Sequence, residues 1–193
     1  MKDGPEMPAA LLTKAELLDR LLLLFRQKGY DGASLSDIAE VTGLGKSSLY
    51  HHFPGGKVEM GREVMAHLSS QLEPALANVH GAGTPRAKLQ AFLKVVEQVY
   101  DSGRLACLLE RLCASADRKK FAKPLHSTFA ALLDAFEVLC IEAGHGKSVA
   151  RARAEDAVVR IQGSLVLGAG VEQPEIFVRA LAKIRETLLE TRA

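Results

Sequence analysis

No apolar run in the chain exceeds the five residues of LLLLF at 21–25, against the roughly 20 that a membrane-spanning helix needs. Residues 1–12 carry acidic groups where a secretion signal would be basic, and no adequate apolar stretch follows. Cysteine is scarce. Cys107, Cys113 and Cys140 are odd in number and sit in apolar runs, the pattern of buried thiols in a reducing compartment rather than of a disulfide framework. Neither sign of charge dominates, with 25 Lys and Arg against 23 Asp and Glu. The first 65 residues hold eight basic and nine acidic side chains. Any nucleic-acid contact must therefore come from local placement rather than bulk charge. The absences describe a soluble, cytoplasmic chain that enters no membrane.

Chemical machinery is missing too. No nucleophile stands beside a plausible base, no carboxylates pair in a motif, and no metal-ligand spacing occurs. His51 and His52 are neighbours, so on a helix their rings point about 100° apart and cannot share a metal alone. Gly45-Lys46-Ser47 and Gly146-Lys147-Ser148 resemble the end of a phosphate loop. That loop needs a glycine five positions earlier, where Glu40 and Ile141 stand, and a buried strand before it. Both preceding segments are spaced like helices. Nucleotide binding, catalysis, metal and cofactor are all excluded as readings.

What the sequence holds is helix. Its 193 residues, 48% hydrophobic and 25% charged, are enough for one large or two small domains of ordinary globular composition. Nothing alternates for long enough to make a strand. About nine helices are predicted, near 13–28, 35–42, 46–52, 56–78, 85–101, 104–115, 119–143, 147–169 and 174–191. Thr13 and Glu16 have capping-box spacing at the first, and Leu17, Leu21, Leu24 and Phe25 form its apolar face. HGAGTP at 80–85 is the loop that most resembles a boundary.

Residues 35–54 fit a helix-turn-helix. Ala39 is small where two helices cross, Gly43 can adopt the left-handed turn, and Leu49 faces back from the second helix. Ile38, Val41 and Leu44 complete the small core. Ser34 and Ser36 open the first short helix. The second then offers Gly45, Lys46, Ser47, Ser48, Tyr50, His51 and His52 to a groove, with Lys57 at phosphate height on the following helix.

GYDGASLSDIAEVTGLGKSSLYHHFPGGKVEM, residues 29–60, closely resembles the DNA-binding domain of TetR/AcrR-type repressors. Ser34, Ile38, Ala39, Gly43, Leu49, Tyr50, Phe53 and Lys57 match that family's pattern, and FPGGK is similar to the branch of lincomycin-resistance-type repressors. The resemblance covers roughly 13–62. At Gly45 the family usually has serine or a similar cap; glycine caps nearly as well but offers no hydroxyl.

The resemblance implies an all-α fold with a helix-turn-helix domain at 1–55 and a ligand-binding and dimerisation domain at 56–193. It implies a bacterial homodimer on a pseudo-palindromic double-stranded operator, with half-sites about 34–36 Å apart or a multiple, released by a small-molecule effector. Val158, Ile161, Leu165 and Gly168, with Phe177, Leu181, Ile184 and Leu188, form stripes expected at the dimer interface; the last helix could equally pack within its own chain. A mainly apolar pocket is expected from His67, Phe92, Val96, Gln98, Tyr100, Leu108, His126, Phe129 and Phe136, and a closed core fits the same residues. Cys107, near Arg104 and Arg111, is read either as an oxidant or electrophile sensor or as a small buried hydrophobe. A helical protein-interaction module without DNA binding is the alternative from another class.

Overall fold

The computed structural model describes residues 12–190, and among these every regular element is helical. The amino-terminal stretch read for a targeting signal lies almost wholly outside them, as does the predicted end of the last helix at 191. α1 spans Lys14–Lys28, α2 Leu35–Thr42, α3 Lys46–His52 and α4 Gly56–Val79. There follow α5 (Pro85–Val99), α6 (Leu108–Cys113), α7 (Ala122–Glu142), α8 (Lys147–Gly170) and α9 (Glu175–Thr187).

Local chemistry explains most boundaries. The Thr13 side chain accepts from the Glu16 amide at 3.3 Å, and Glu16 accepts from the Thr13 amide at 2.8 Å, so two unpartnered amides of the first turn are satisfied reciprocally. Thr84 caps α5 and Pro85 opens it. The structure departs from expectation between 100 and 122. Instead of a helix over 104–115, Asp101, Ser102 and Gly103 have φ of 45°, 52° and 93°. This left-handed run turns the chain, and only six residues of α6 remain helical. A second tight turn at Arg118–Phe121 precedes α7.

One hydrophobic cluster runs from Leu17 of α1 to Leu188 after α9. α4 packs against α1, α5 and α7, and α8 against α7 and α9. Residues 118–142, which include α7, are long and apolar enough by length and composition to cross a membrane. Sequence reading missed this stretch because its polar residues interrupt every run. α7 buries Leu132, Phe136 and Leu139.

The expected dimer stripes fall on faces that are covered within the chain. Val158, Ile161, Leu165 and Gly168 are buried within their own chain, as are Phe177, Leu181, Ile184 and Leu188. Phe177 meets Tyr100 edge-to-face at 5.6 Å, and the Leu188 carbonyl accepts from the Cys140 thiol at 3.6 Å. A periodic stripe identifies a covered face but not which chain covers it. α8 has a second apolar face that is open: Val159 is 68% exposed, Val166 57% and Leu167 54%.

Candidate nucleic-acid interface

α2 begins at a second capping box, with the Ser34 hydroxyl accepting from the Asp37 amide at 3.1 Å and Asp37 accepting from the Ser34 amide at 2.8 Å. α2 ends at Gly43, whose φ of 68° and ψ of 12° are left-handed. The Gly43 amide donates to the Ala39 carbonyl at 2.8 Å. Thr42 is buried; its hydroxyl donates to the Ile38 carbonyl at 2.6 Å and accepts from the Leu44 amide at 3.3 Å. The turn is thus held from both sides, a role for Thr42 that sequence reading missed because a hydroxyl at a helix end fits many turns.

α3 starts at Gly45, which has no side-chain cap, and within it only Leu49 is buried. Lys46, Ser47, Ser48, Tyr50, His51 and His52 are all exposed, and α3 carries no carboxylate. Ser34 and Ser36 are exposed at the start of α2. Leu49 and Phe53 anchor the other face of α3 in the core. Two basic residues of α1 hold this pair in place. Arg20 donates to the Val41 carbonyl at 3.0 Å. Lys14 sits 3.8 Å from the centre of the Phe53 ring and 2.7 Å from the Glu63 carboxylate.

Lys57 is placed differently from the other predicted contacts. Its ammonium donates to the Asp31 carbonyl at 3.3 Å and lies 4.7 Å from the centre of the Tyr30 ring. It is half-buried, and burial lowers its pKa. Tyr30 is itself buried, which raises its pKa to about 12. Lys57 is therefore engaged inside the unit rather than held free.

Carboxylates secure the same unit. A hydrogen bond from Lys28, followed by the bonds at Ser34, holds Asp37 well below the ordinary carboxylate range. Asp31 accepts from the Ser115 hydroxyl at 2.8 Å and the Ala116 amide at 2.9 Å, and these bonds lower its pKa. A depressed folded-state pKa adds stability that is full above the unfolded value, about 4, and is lost as pH falls through the folded value. Melting temperatures measured from about pH 7 down to 3 should therefore fall on the acid side. Asp37→Asn should flatten that fall, and an unchanged profile would refute the assignment.

The interior of the larger helical part is closely packed. Val96, Tyr100 and Phe136 border a void of about 10 Å³, with Leu68, Leu72, Leu109, Leu132, Val158, Ile161 and Gln162, room for about one water molecule. Phe92 meets Phe136 edge-to-face at 5.3 Å. Leu108 and Cys107 are buried, and the Cys107 sulfur lies 3.3 Å from the Tyr100 hydroxyl. The other predicted lining residues lie elsewhere. Gln98 and His126 are exposed, Phe129 borders shallow surface grooves of α7 and α8, and His67 is 2.7 Å from Asp19 of α1. Gln162 was missed because its helix reads from sequence as a contact face alone.

Residues 17–64 match the model of bacterial regulatory proteins of the tetR family. Over these residues the chain is similar to TetR-type transcriptional regulators. The HTH-type transcriptional regulator LmrA of Bacillus subtilis (strain 168) is 35% identical over 83 residues, 42% of this chain and 44% of that protein. The biofilm operon icaADBC HTH-type negative transcriptional regulator IcaR of Staphylococcus aureus (strain Newman) is 46% identical over 44 residues, 23% of this chain and 24% of that protein. The chain thus spans less than half the length of these relatives. A TetR transcriptional regulator from Legionella pneumophila has the same fold, with a TM-score of 0.80 at 17% identity over 93% of this chain and 99% of that one. The family model is confined to residues 17–64, while the likeness in fold covers 93% of this chain.

Proposed function

We propose that this TetR-type chain is a cytoplasmic, homodimeric repressor that binds a pseudo-palindromic operator and is released from it by a small molecule. The observation that carries the DNA reading is α3: one residue is buried, and a row of hydroxyl, amphipathic and basic side chains stands open on a short helix set by a left-handed glycine turn. Such a helix can approach base edges while neighbouring groups meet phosphates. Selection from random duplexes, followed by mobility shift with the chain's own upstream DNA, tests this. A recovered inverted repeat supports it, and indifference to every duplex counts against it.

We assign residues 1–55 to DNA contact and 56–193 to effector binding and self-association. Ligand pockets usually occupy about 300–1,000 Å³, so the closed interior suits the ligand-free, DNA-competent form, and an effector must open it. Linkage then requires operator DNA to weaken effector binding by the same factor that effector weakens DNA binding.

The open face of α8 supports a reassigned dimer contact. Val159, Gly163, Val166 and Gly170 recur on one side of the helix, and a Cβ added at Gly163 or Gly170 would meet nothing within 4 Å, so a second helix can come close. Val159→Glu should weaken self-association by about a hundredfold, roughly 3 kcal/mol, because it places a charge in an apolar contact. Sedimentation velocity should show the monomer, with the melting temperature of the monomer little changed; an intact dimer would remove the assignment.

A further inference from the structure

Two charged side chains are buried among the described residues, Lys88 at 4% exposed and Arg26 at 5%. Lys88 lies 2.9 Å from both carboxylate oxygens of Glu142. Arg26 of α1 has no carboxylate in ion-pair range among the described residues. Its Nη1 donates to the Val99 carbonyl at 3.0 Å, while Nε and Nη2 have no acceptor. A buried cation left this way is costly to hold, and burial lowers its pKa from the ordinary arginine value. A buried cation held at such expense is a candidate functional group.

The surroundings are rich in donors. The Arg26 guanidinium lies 5.5 Å from the centre of the Tyr100 ring. Gln162 Nε2 of α8 is a second buried donor, with no acceptor other than the neighbouring Tyr100 oxygen. Tyr100 and Gln162 both border the small central void, whose other walls, including Leu68, Leu109 and Phe136, are apolar. Tyr100 therefore borders the void and also touches the cation, which is not itself among the void's walls. Burial raises the Tyr100 pKa well above its ordinary value, so its hydroxyl stays protonated. A cation and further donors beside apolar walls suit an acceptor with an apolar body, and an anion best of all.

We propose that the effector is an amphipathic carboxylate, its head received by Arg26 and Gln162 beside Tyr100 and its tail lodged against Leu68, Leu109 and Phe136. This rests on the effector reading above and names its chemical class. Space is made by α6, which supplies Leu109 and is only six residues long. It leaves the left-handed turn at Asp101–Gly103 and ends beside Ser115 and Ala116, which hold Asp31 of the DNA-binding unit. Occupancy thus reaches that unit twice, through Arg26 of α1 and through the Asp31 contact.

Decanoate and decanol, equal in chain length, are the probes, titrated calorimetrically into the full chain and into Arg26→Met and Gln162→Met. Decanoate should bind the unaltered chain about ten- to a hundredfold more tightly than decanol, the worth of a charge-assisted hydrogen bond. Arg26→Met should erase that preference and leave decanol binding unchanged, with little change in melting temperature, because losing the bond to the Val99 carbonyl is offset by removing a buried cation that has no ion pair. Gln162→Met should reduce the preference with Arg26 intact, which keeps the test decisive if Arg26→Met does not fold. Equal affinity for the two probes, no binding of either, or a preference that survives the substitutions overturns the carboxylate proposal. Release of operator DNA by a neutral library compound but by no carboxylate also overturns it while the effector reading stands.

Discussion

Ser47→Asp is expected to abolish specific operator binding while leaving the protein folded. Ser47 is the second residue of α3, is exposed, and makes no side-chain hydrogen bond among the described residues. A carboxylate in the first turn of a helix is mildly stabilising, by about 0.3–1 kcal/mol, so the melting temperature should hold or rise slightly. Facing a duplex, the same carboxylate meets phosphate at close range. Like charges brought face to face in an interface cost several kcal/mol, on the order of a thousandfold in affinity. The divergence between stability and binding is the informative result. Fluorescence anisotropy against the selected operator measures one side and a thermal melt the other. Retained affinity would remove α3 from the contact, and a lower melting temperature would show Ser47 to be structural.

Gly103→Ala should produce a large loss of stability from a single methyl group. Gly103 has φ of 93°, and an added Cβ would lie 2.6 Å from the Pro174 carbonyl and 2.7 Å from Phe177 Cβ. The left-handed backbone alone costs alanine about 1–2 kcal/mol, and overpacking adds about 1–3 kcal/mol. The opposing atoms belong to backbone and to the base of a buried ring, so neither can swing aside. A total of about 2–5 kcal/mol corresponds to a melting temperature lower by roughly 10 °C in a chain of this size. Gly45→Ala is the matched control: a Cβ there meets nothing within 4 Å, and its φ of −69° suits any residue. Equal melting temperatures for the two variants would contradict the close approach of the turn to α9.

The helix-turn-helix was legible because its signals are local. Ser34, Gly43 and Gly45 act within a turn or two of chain, and α2 and α3 begin and end where the sequence predicts. α6 was not legible. RLACLLERL has helical spacing, but Gly103 lets the chain press against Pro174 and Phe177, and a contact some seventy residues away overrides the local preference. The interior followed the same division. Phe92 and Phe136 read correctly as buried, whereas Gln98 and His126, offered as polar handles, are exposed. The polar side chains that border the void are Tyr100 and Gln162, the latter on a helix read as a contact face, and the buried cation beside Tyr100 is Arg26, on a helix read for its leucines.

Periodicity, caps and turn residues thus established an all-helical chain with a short presented helix, since each acts over a few residues of backbone. Which apolar stripe of α8 stays open, which cation is buried without a carboxylate, and how little space the larger part encloses emerged only on packing. Those properties depend on side chains brought together from distant positions, and spacing along a chain carries no record of what will cover it.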